Sequence, residues 1–343
     1  MTGADKEKME RKRILITGVA GFIGSHLMSR CLHEGYEVVG VDNFLTGKRE
    51  NIASVLGESP EFSSRFELKT SDIRDGASMV EASRGCAMIF HEAAIGSVPW
   101  SIRDPMLTHE TNLTGFLNIL NAGRENGIKR VVYASSSAVY GDASDVPGRE
   151  GAEGAMLSTY ASSKFAQEYY AQAWSRNYGL ELIGLRYFNV FGARQDPNGA
   201  YAAVIPKWLH HMHRGEACVI YGDGESTRDY CHVSNVVEAN MLAAFSPCEC
   251  VRRVNGGFAV AMNIGCGRET SLNALHEQMA QAFCQYFGRS VPMPVRAGAR
   301  EGDIVRSCAD ISLAASVLSF SPVVELSEGL QRYVSAFAKS ENA

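Results

Sequence analysis

Near its start the chain reads RILIT, residues 13–17, and then at once GVAGFIGSHL. The first five residues have the apolar, β-branched character of a short buried strand. Gly18, Gly21 and Gly24 follow. Phe22, Ile23, Leu27, Met28, Cys31 and Leu32 then recur with helical period. Strand, glycine turn and helix in that order leave few folds open. At such a turn a missing Cβ lets the backbone approach a pyrophosphate, and the helix N-terminus meets its negative charge. The spacing is GxxGxxG rather than GxGxxG, so the glycines need support from what comes next.

That support begins with EVVGV, residues 37–41, a second strand with Asp42 at its end. A carboxylate there accepts both hydroxyls of an adenosine ribose and repels a 2′-phosphate, which favours NAD over NADP. Further strands are expected at 87–91 (AMIFH), 130–135 (RVVYAS) and 181–186 (ELIGLR). Long helices are expected at 105–126 and 157–178. Strands separated by helices give an α/β fold with a doubly wound parallel sheet, whose ligands lie at the carboxyl ends of the strands. The glycine turn, Asp42, Asp72, Ala93, Ser135–Ser137 and Asn189 all fall at or after such ends.

Composition narrows the function. Apolar residues make up 45% and charged residues 21%, with a formal charge of −5. These values suit a globular protein with a substantial core and disfavour nucleic acid or an anionic membrane as partner. No apolar run is long enough to span a bilayer. The charged start, MTGADKEKMERKR, has no signal-peptide core. Nine cysteines are scattered without a CxxC, so reduced thiols in a cytoplasmic protein are expected. Cys248 and Cys250 read as loop thiols. His210, His211 and His213 read as a solvated helix end, because no carboxylate or cysteine completes a metal set.

The strand at 130–135 delivers SSSAVYG, residues 135–141, and TYASSK follows at 159–164. Tyr160 and Lys164, four apart, share one helix face. A phenol near pKa 10 is a poor base at neutral pH. A neighbouring ammonium and a cationic nicotinamide ring would both lower it. A tyrosinate then takes a proton from an alcohol while the cofactor takes hydride from its carbon, and a serine hydroxyl orients or relays that proton. No metal is called for.

The segments TGVAGFIGSHL, VDNFLTG, SDIRD, HEAA, SSSAVYG, YASSK and RYFNVFG, in this order and spacing, resemble the extended short-chain dehydrogenase/reductase superfamily. LRYFNVFGARQDPNGAYAAVIPKW, GDGESTRDYCHV and REGDIVRSCADIS are similar to nucleotide-sugar 4-epimerases, in particular those acting on UDP-N-acetylglucosamine. The resemblance implies a Rossmann-type NAD domain over 1–188, with 229–247 returning to it. A smaller α/β substrate lobe would occupy 189–343.

It also implies residue roles. Gly18, Gly21, Phe22, Ile23, Gly24, Asp42, Asn43, Asp72, Ile73 and Ala93 would hold NAD. Lys164 would hold the nicotinamide ribose, with Tyr160 the base and Ser136 its partner. Ser137 would lie by the sugar, Ser97 would also bind the substrate, and Asn189 would lie by the diphosphate. Ala203, Val204 and Lys207 would lie in the segment that covers the uridine, and Tyr221 would also bind the substrate. Arg228 and Arg300 would clamp the phosphates, and Asp303 would face the uridine ribose. Ser307 stands where galactose-type relatives carry a bulky tyrosine, and so leaves room for an acetamido group. The implied reaction inverts carbon 4 of a UDP-sugar through a 4-keto intermediate. A UDP-uronic acid 4-epimerase is the alternative. A 4,6-dehydratase or a non-catalytic NAD sensor is further away, since Ser137 and Ala138 replace the dehydratase acid–base pair and both Tyr160 and Lys164 are present.

The chain departs from the pattern at Ser158-Thr159, where Ser-Pro is usual, in the loop DVPGREGAEGAMLS, and at Trp100. The apolar faces of the two long helices, including Phe165, Tyr169 and Trp174, correspond to a four-helix homodimer interface in the superfamily. The residues alone equally allow burial within one chain.

Overall fold

The computed structural model describes residues 13–196, 203–255, 257–299 and 304–341. Seven strands form the main sheet. They are β1 (Arg13–Thr17), β2 (Glu37–Asp42), β3 (Phe66–Thr70), β4 (Cys86–His91), β5 (Arg130–Ser136), β6 (Glu181–Tyr187) and a last strand, Ala259–Ile264. The order is β3-β2-β1-β4-β5-β6 with Ala259–Ile264 outside β6. β1 pairs in parallel with β2 and β4, β2 with β3, and β4 with β5. The order reverses direction at β1, where an open α/β sheet forms its ligand crevice. The α/β, doubly wound Rossmann-type reading therefore holds.

Why these segments form strands is visible in their burial. Ile14, Leu15 and Ile16 are wholly buried, and so are Val131 and Leu182. Covered on both faces, such strands read as continuous apolar runs without alternation. Leu15, Val39, Ile89, Val131 and Leu182 join Phe116, Ile119 and Leu120 of the Gly115–Glu125 helix in one core.

Two helices differ from expectation in informative ways. The segment expected as one helix over 105–126 is α-helical at Pro105–His109 and Gly115–Glu125, with a π-helical turn between them at Glu110–Thr114. Helical periodicity cannot register such a turn, since it widens the ring by one residue without changing composition. The second helix begins at Thr159 rather than at 157, because Ser158 accepts the N–H of Ala161 at 3.1 Å as its N-cap. It ends at Tyr178, where Gly179 adopts a left-handed conformation.

The chain divides into two compact units. The first runs up to Asp142 and adds Gly154–Arg186 and Ala239–Met262. The second comprises Ala143–Glu153, Tyr187–Glu238 and the chain from Asn263 onward. The second unit has its own core, in which Phe191, Trp208, Leu209, Leu275, Phe283 and Tyr333 meet. The three histidines are not a solvated helix end. His210 and His213 both pack edge-on against Phe337, and His211 Nδ1 lies 3.3 Å from the Ala217 carbonyl. Cys248 and Cys250 stand in a helix, Cys248–Asn255, and not in a loop. Among the described residues no helix is long and apolar enough to cross a membrane.

Candidate active site

β1 ends at Thr17 and the chain turns through Gly18, whose φ of +70° few side chains tolerate. A Cβ at Gly18 would lie 2.7 Å from the Ala93 nitrogen, so the turn presses directly on the end of β4. At Gly24 a Cβ would run into the Gly18 carbonyl. The helix Phe22–His33 starts at Gly21 with no side-chain cap and no acidic residue in its first turn. Its first N–H groups are thus available to an anion, and the macrodipole favours one. Phe22 and Ile23 are the first two residues of this helix.

Asp42 closes β2 and is only 8% exposed. One of its oxygens accepts the Ala20 N–H at 2.9 Å and the other the Phe44 N–H at 2.8 Å. Burial raises this carboxyl above its usual value, and the two backbone bonds pull it back down. Each oxygen keeps a second lone pair for a ribose hydroxyl. Asn43 donates to Asp72 at 2.9 Å, joining the segments that follow β2 and β3. The Arg74 guanidinium beside Asp72 holds its carboxyl down at about 2. Ile73 is a core residue whose side chain packs against Gly115. These positions gather around one strand-end crevice with a glycine turn, an uncapped helix start and a buried carboxylate whose free lone pairs suit ribose hydroxyls. The residues fit a bound dinucleotide.

Ser136, Tyr160 and Lys164 lie on the other side of β1, at β5 and the helix Thr159–Tyr178. Ser136 closes β5, and its Oγ accepts the Ala138 N–H at 3.2 Å. The same hydroxyl pulls the Tyr160 phenol down. Ser137 opens the short turn Ser137–Tyr140. Tyr160 is fixed at the backbone too, donating its N–H to Ser101 Oγ at 3.1 Å. Ser97 caps the Val98–Arg103 helix that carries both Ser101 and Trp100, accepting the Trp100 N–H at 3.2 Å.

The expected lowering of the Tyr160 phenol by Lys164 is not what the structure shows. Burial pushes the phenol above its ordinary value, the Ser136 hydrogen bond pulls it down, and the Glu92 charge raises it. Lys164 is 2% exposed and donates Nζ to the Ala134 carbonyl at 2.7 Å. Burial lowers its own ammonium to about 8, while Glu92 and Glu168 raise it. The lysine is therefore committed to the strand backbone, and the shared helix face does not amount to a direct charge contact.

Several supporting residues escape sequence reasoning. Asn112, in the π-helical turn, accepts the Ile95 N–H at 2.8 Å and donates to Ser163 Oγ at 3.0 Å. Ser163 lies between Tyr160 and Lys164, so the π turn is bound to the helix that carries both. Glu168, one turn beyond Lys164, forms a buried two-pronged pair with Arg186 at 2.9 and 2.6 Å and accepts the Ser135 hydroxyl at 2.6 Å. Arg186 also donates to the Tyr140 hydroxyl at 3.1 Å. Under the glycine turn, Thr17 Oγ1 lies 2.8 Å from His91 Nδ1. The one available signal was a polar residue inside an otherwise apolar stripe, which periodicity treats as noise.

In the second unit, Asn189 (φ 27°) donates Nδ2 to the Asp229 carbonyl at 3.3 Å. The Thr227 carbonyl accepts both the Arg228 guanidinium at 2.8 Å and the Ser307 N–H at 3.1 Å. Asn189, Arg228 and Ser307 thus gather around the stretch 227–231. Buried Asp229 holds this region by accepting N–H groups from Cys266, Gly267 and Ala309 at 2.8, 2.9 and 3.2 Å. Ala203, Val204 and Lys207 stand at the start of the Val204–Arg214 helix, and Tyr221 ends the Val219–Tyr221 strand. Arg300 and Asp303 lie outside the described residues.

Comparison with known proteins agrees with this geometry. Residues 14–255 match the model of the NAD dependent epimerase/dehydratase family. The chain belongs to that family. NAD is its cofactor. Across the family the chain is 36% identical to a UDP-glucose 4-epimerase of Mycolicibacterium smegmatis, over 95% of this chain and 98% of the relative. It superposes with a TM-score of 0.86 on a UDP-N-acetylglucosamine 4-epimerase of Methanobrevibacter ruminantium in complex with UDP-N-acetylmuramic acid. That protein is 34% identical and matched over 97% of this chain and all of its own. A UDP-glucose 4-epimerase of Thermotoga maritima, with UDP-glucose, gives a TM-score of 0.84 at 34% identity, over 96% and 99% of the two chains.

Proposed function

We propose that this epimerase-family protein inverts carbon 4 of a UDP-hexose, with UDP-GlcNAc and UDP-GalNAc as its substrate pair. The observation that carries the reading is the placement of Ser136 at the end of β5 and Tyr160 at the start of the helix packed against that strand, beside the strand ends that hold the glycine turn and Asp42. Bound NAD supplies a hydride acceptor and donor, and a positive ring that favours the phenolate.

The residues divide the work as follows. Tyr160 removes the proton from the sugar 4-hydroxyl, and Ser136 hydrogen-bonds the same oxygen and steadies the phenolate as it forms. Lys164 holds the nicotinamide ribose from its buried place on the helix, where its Nζ also rests on the Ala134 carbonyl of β5. Asn189 and Arg228 of the second unit hold the diphosphate, the guanidinium offering two donors to two oxygens. The flat 4-keto sugar turns about its link to the diphosphate and presents its other face. Tyr160 then returns the proton, and the configuration is inverted.

A dehydratase would need an ionisable pair directly after Ser136. Ser137 and Ala138 stand there, and neither supplies it. Ser307 supports an N-acetylated sugar by volume, since a serine leaves open the space that a tyrosine ring would fill. The exposed side chains of Ile102, Met106, Tyr169 and Tyr170 lie on neighbouring helices and support a homodimer. A cytoplasmic setting fits nine unpaired cysteines.

Incubation with UDP-GlcNAc, UDP-Glc and UDP-GlcNAcA side by side, followed by NMR of the anomeric protons, tests the proposal. UDP-GalNAc as the main product supports it. A preference for the uronic acid would move the substrate assignment to UDP-uronic acids. A 4-keto-6-deoxy product, or no conversion of any UDP-hexose, would reject it.

A further inference from the structure

Ser136 stands at a junction that the fold holds from both sides. The residue before it, Ser135, is 2% exposed and donates its hydroxyl to Glu168 Oε1 at 2.6 Å. Four residues after it, the Tyr140 hydroxyl accepts Arg186 Nη1 at 3.1 Å, and the same guanidinium lies over the Tyr140 ring, 5.2 Å from its centroid. Glu168 and Arg186 are themselves paired, Nε to Oε1 at 2.9 Å and Nη2 to Oε2 at 2.6 Å. The two ends of the stretch 135–140 are therefore tied together through one ion pair. All of these residues belong to the first unit.

The ties join three elements. Arg186 comes from β6, Ser135 from β5 and Glu168 from the helix Thr159–Tyr178. On that helix Tyr160, Lys164 and Glu168 follow one another at intervals of four, so they share a face. Lys164 reaches the Ala134 carbonyl and Glu168 the Ser135 hydroxyl, consecutive residues of β5 just ahead of Ser136. Two rungs thus fix the height of the helix against the strand. They set where Tyr160 stands with respect to Ser136.

Stability alone does not account for this arrangement. The side chains of Arg186 and Glu168 are 4% and 5% exposed. The cost of taking two such charges out of water offsets most of their attraction, and apolar residues of similar volume often serve stability as well or better. What an apolar pair cannot do is hold a serine hydroxyl and a tyrosine hydroxyl in set directions.

We infer that Glu168 and Arg186 are positioning residues, which act through Ser135 and Tyr140 to hold Ser136 at its working distance from Tyr160. The inference rests on the proposed function for its catalytic meaning, while its geometric content needs no substrate. A displacement of about 1 Å between reacting groups costs about 10²-fold in rate. Loss of the ties should therefore appear in kcat and leave KM and NAD retention in place.

Ser135→Ala and Tyr140→Phe test this on the NAD-loaded protein, because each cuts one tie and leaves the ion pair whole. Arg130→Met, at the opposite end of β5, is the control for lost stability, since Arg130 serves Glu181 and the carbonyls of Ala243 and Ala244. Melting temperatures are measured beside kinetics with UDP-GlcNAc, UDP-Glc and UDP-GlcNAcA. Crystal structures of the parent and of Ser135→Ala give the separation of Ser136 Oγ from the Tyr160 phenol oxygen without any turnover. The expected kcat is lower by about 10-fold in each single variant and about 10²-fold in the double variant, with KM unchanged. The separation should change by at least about 0.5 Å. Arg130→Met should keep its kcat despite a lower melting temperature. Ser135→Thr retains the hydroxyl and should recover most of the lost turnover. Should Ser135→Ala fail to fold, Tyr140→Phe carries the same readings. An unmoved separation overturns the inference, and so does a kcat that stays at the parental level or falls no further than in Arg130→Met. If the separation changes while neither protein converts any UDP-hexose, the proposed function fails and the positioning role stands. Parental turnover with an unmoved separation in the variant gives the reverse.

Discussion

Ser136 closes β5 with its Oγ accepting the Ala138 N–H at 3.2 Å, and the same hydroxyl pulls the phenol of Tyr160 down. One serine therefore ends β5, caps the turn that follows and sets the proton of the reactive tyrosine. Ser136→Ala removes the hydroxyl, and with it both the cap on the Ala138 N–H and the pull on the Tyr160 phenol. The phenol then rises, because the hydroxyl favours the phenolate. Turnover should fall by about 10²-fold, as expected for loss of a positioned proton-transfer partner, and the acid limb of the pH profile should move to higher pH. A pH–rate series on the variant measures both.

The glycine turn gives a second prediction. At Gly24 a Cβ would collide with the Gly18 carbonyl, which is backbone and cannot rotate away. Gly24→Ala should force the helix Phe22–His33 off β1, cost about 1–3 kcal/mol as an overpacked contact, and abolish retention of NAD through purification. Nucleotide released on denaturation, read by absorbance and chromatography, checks the second effect. Calorimetry checks the first.

The buried histidine beneath that turn predicts how stability depends on pH. Burial lowers His91 to about 3, so it is neutral in the folded chain through the ordinary range. In the unfolded chain it titrates near 6.5. Below that value the unfolded state takes up a proton that the native state refuses, so the stability held above pH 6.5 is lost progressively between pH 6.5 and 3. His232, lowered to about 4 by burial, adds to the loss in the same direction. Melting temperature should therefore fall steeply from pH 6.5 downward. His91→Gln, which keeps a partner for Thr17 without titrating, should flatten the slope.

Ser307 predicts specificity. Its N–H is bonded to the carbonyl that also holds Arg228, so a larger side chain there cannot relax by moving the backbone. Ser307→Tyr should reduce kcat/KM for UDP-GlcNAc by more than about 10²-fold while sparing UDP-Glc, because excluded volume discriminates more sharply than a lost methylene. Paired kinetics with the two sugars measure the ratio.

The parts of this molecule that were legible in the chain are those written in local pattern. RILIT and its glycines, EVVGV with Asp42, and the strands at β4 to β6 follow from apolar runs and turn residues, and the parallel, doubly wound sheet follows from their alternation with helices. The Tyr160–Lys164 spacing placed both residues on one helix. It did not reveal that Lys164 Nζ reaches back to Ala134 on β5. That contact joins residues 30 apart, and its direction depends on how deeply the helix is seated. Asn112, Glu168 with Arg186, and Asp229 were hidden for the same reason. Each is a polar residue whose meaning comes from partners distant in the chain, and in the sequence alone it resembles a flaw in an apolar stripe. The π turn at Glu110–Thr114 belongs with them, since it is held by the bonds of Asn112 and not by helix propensity.

The most direct measurement uses UDP-GlcNAc carrying deuterium at carbon 4, incubated in ordinary water with the purified protein. If Tyr160 removes only the hydroxyl proton and the carbon-bound hydrogen leaves and returns as hydride, the UDP-GalNAc formed keeps its deuterium at carbon 4, and Tyr160→Phe forms almost none of it. A product that has exchanged its deuterium for solvent hydrogen, or a phenylalanine variant that turns over like the parent, would contradict the account.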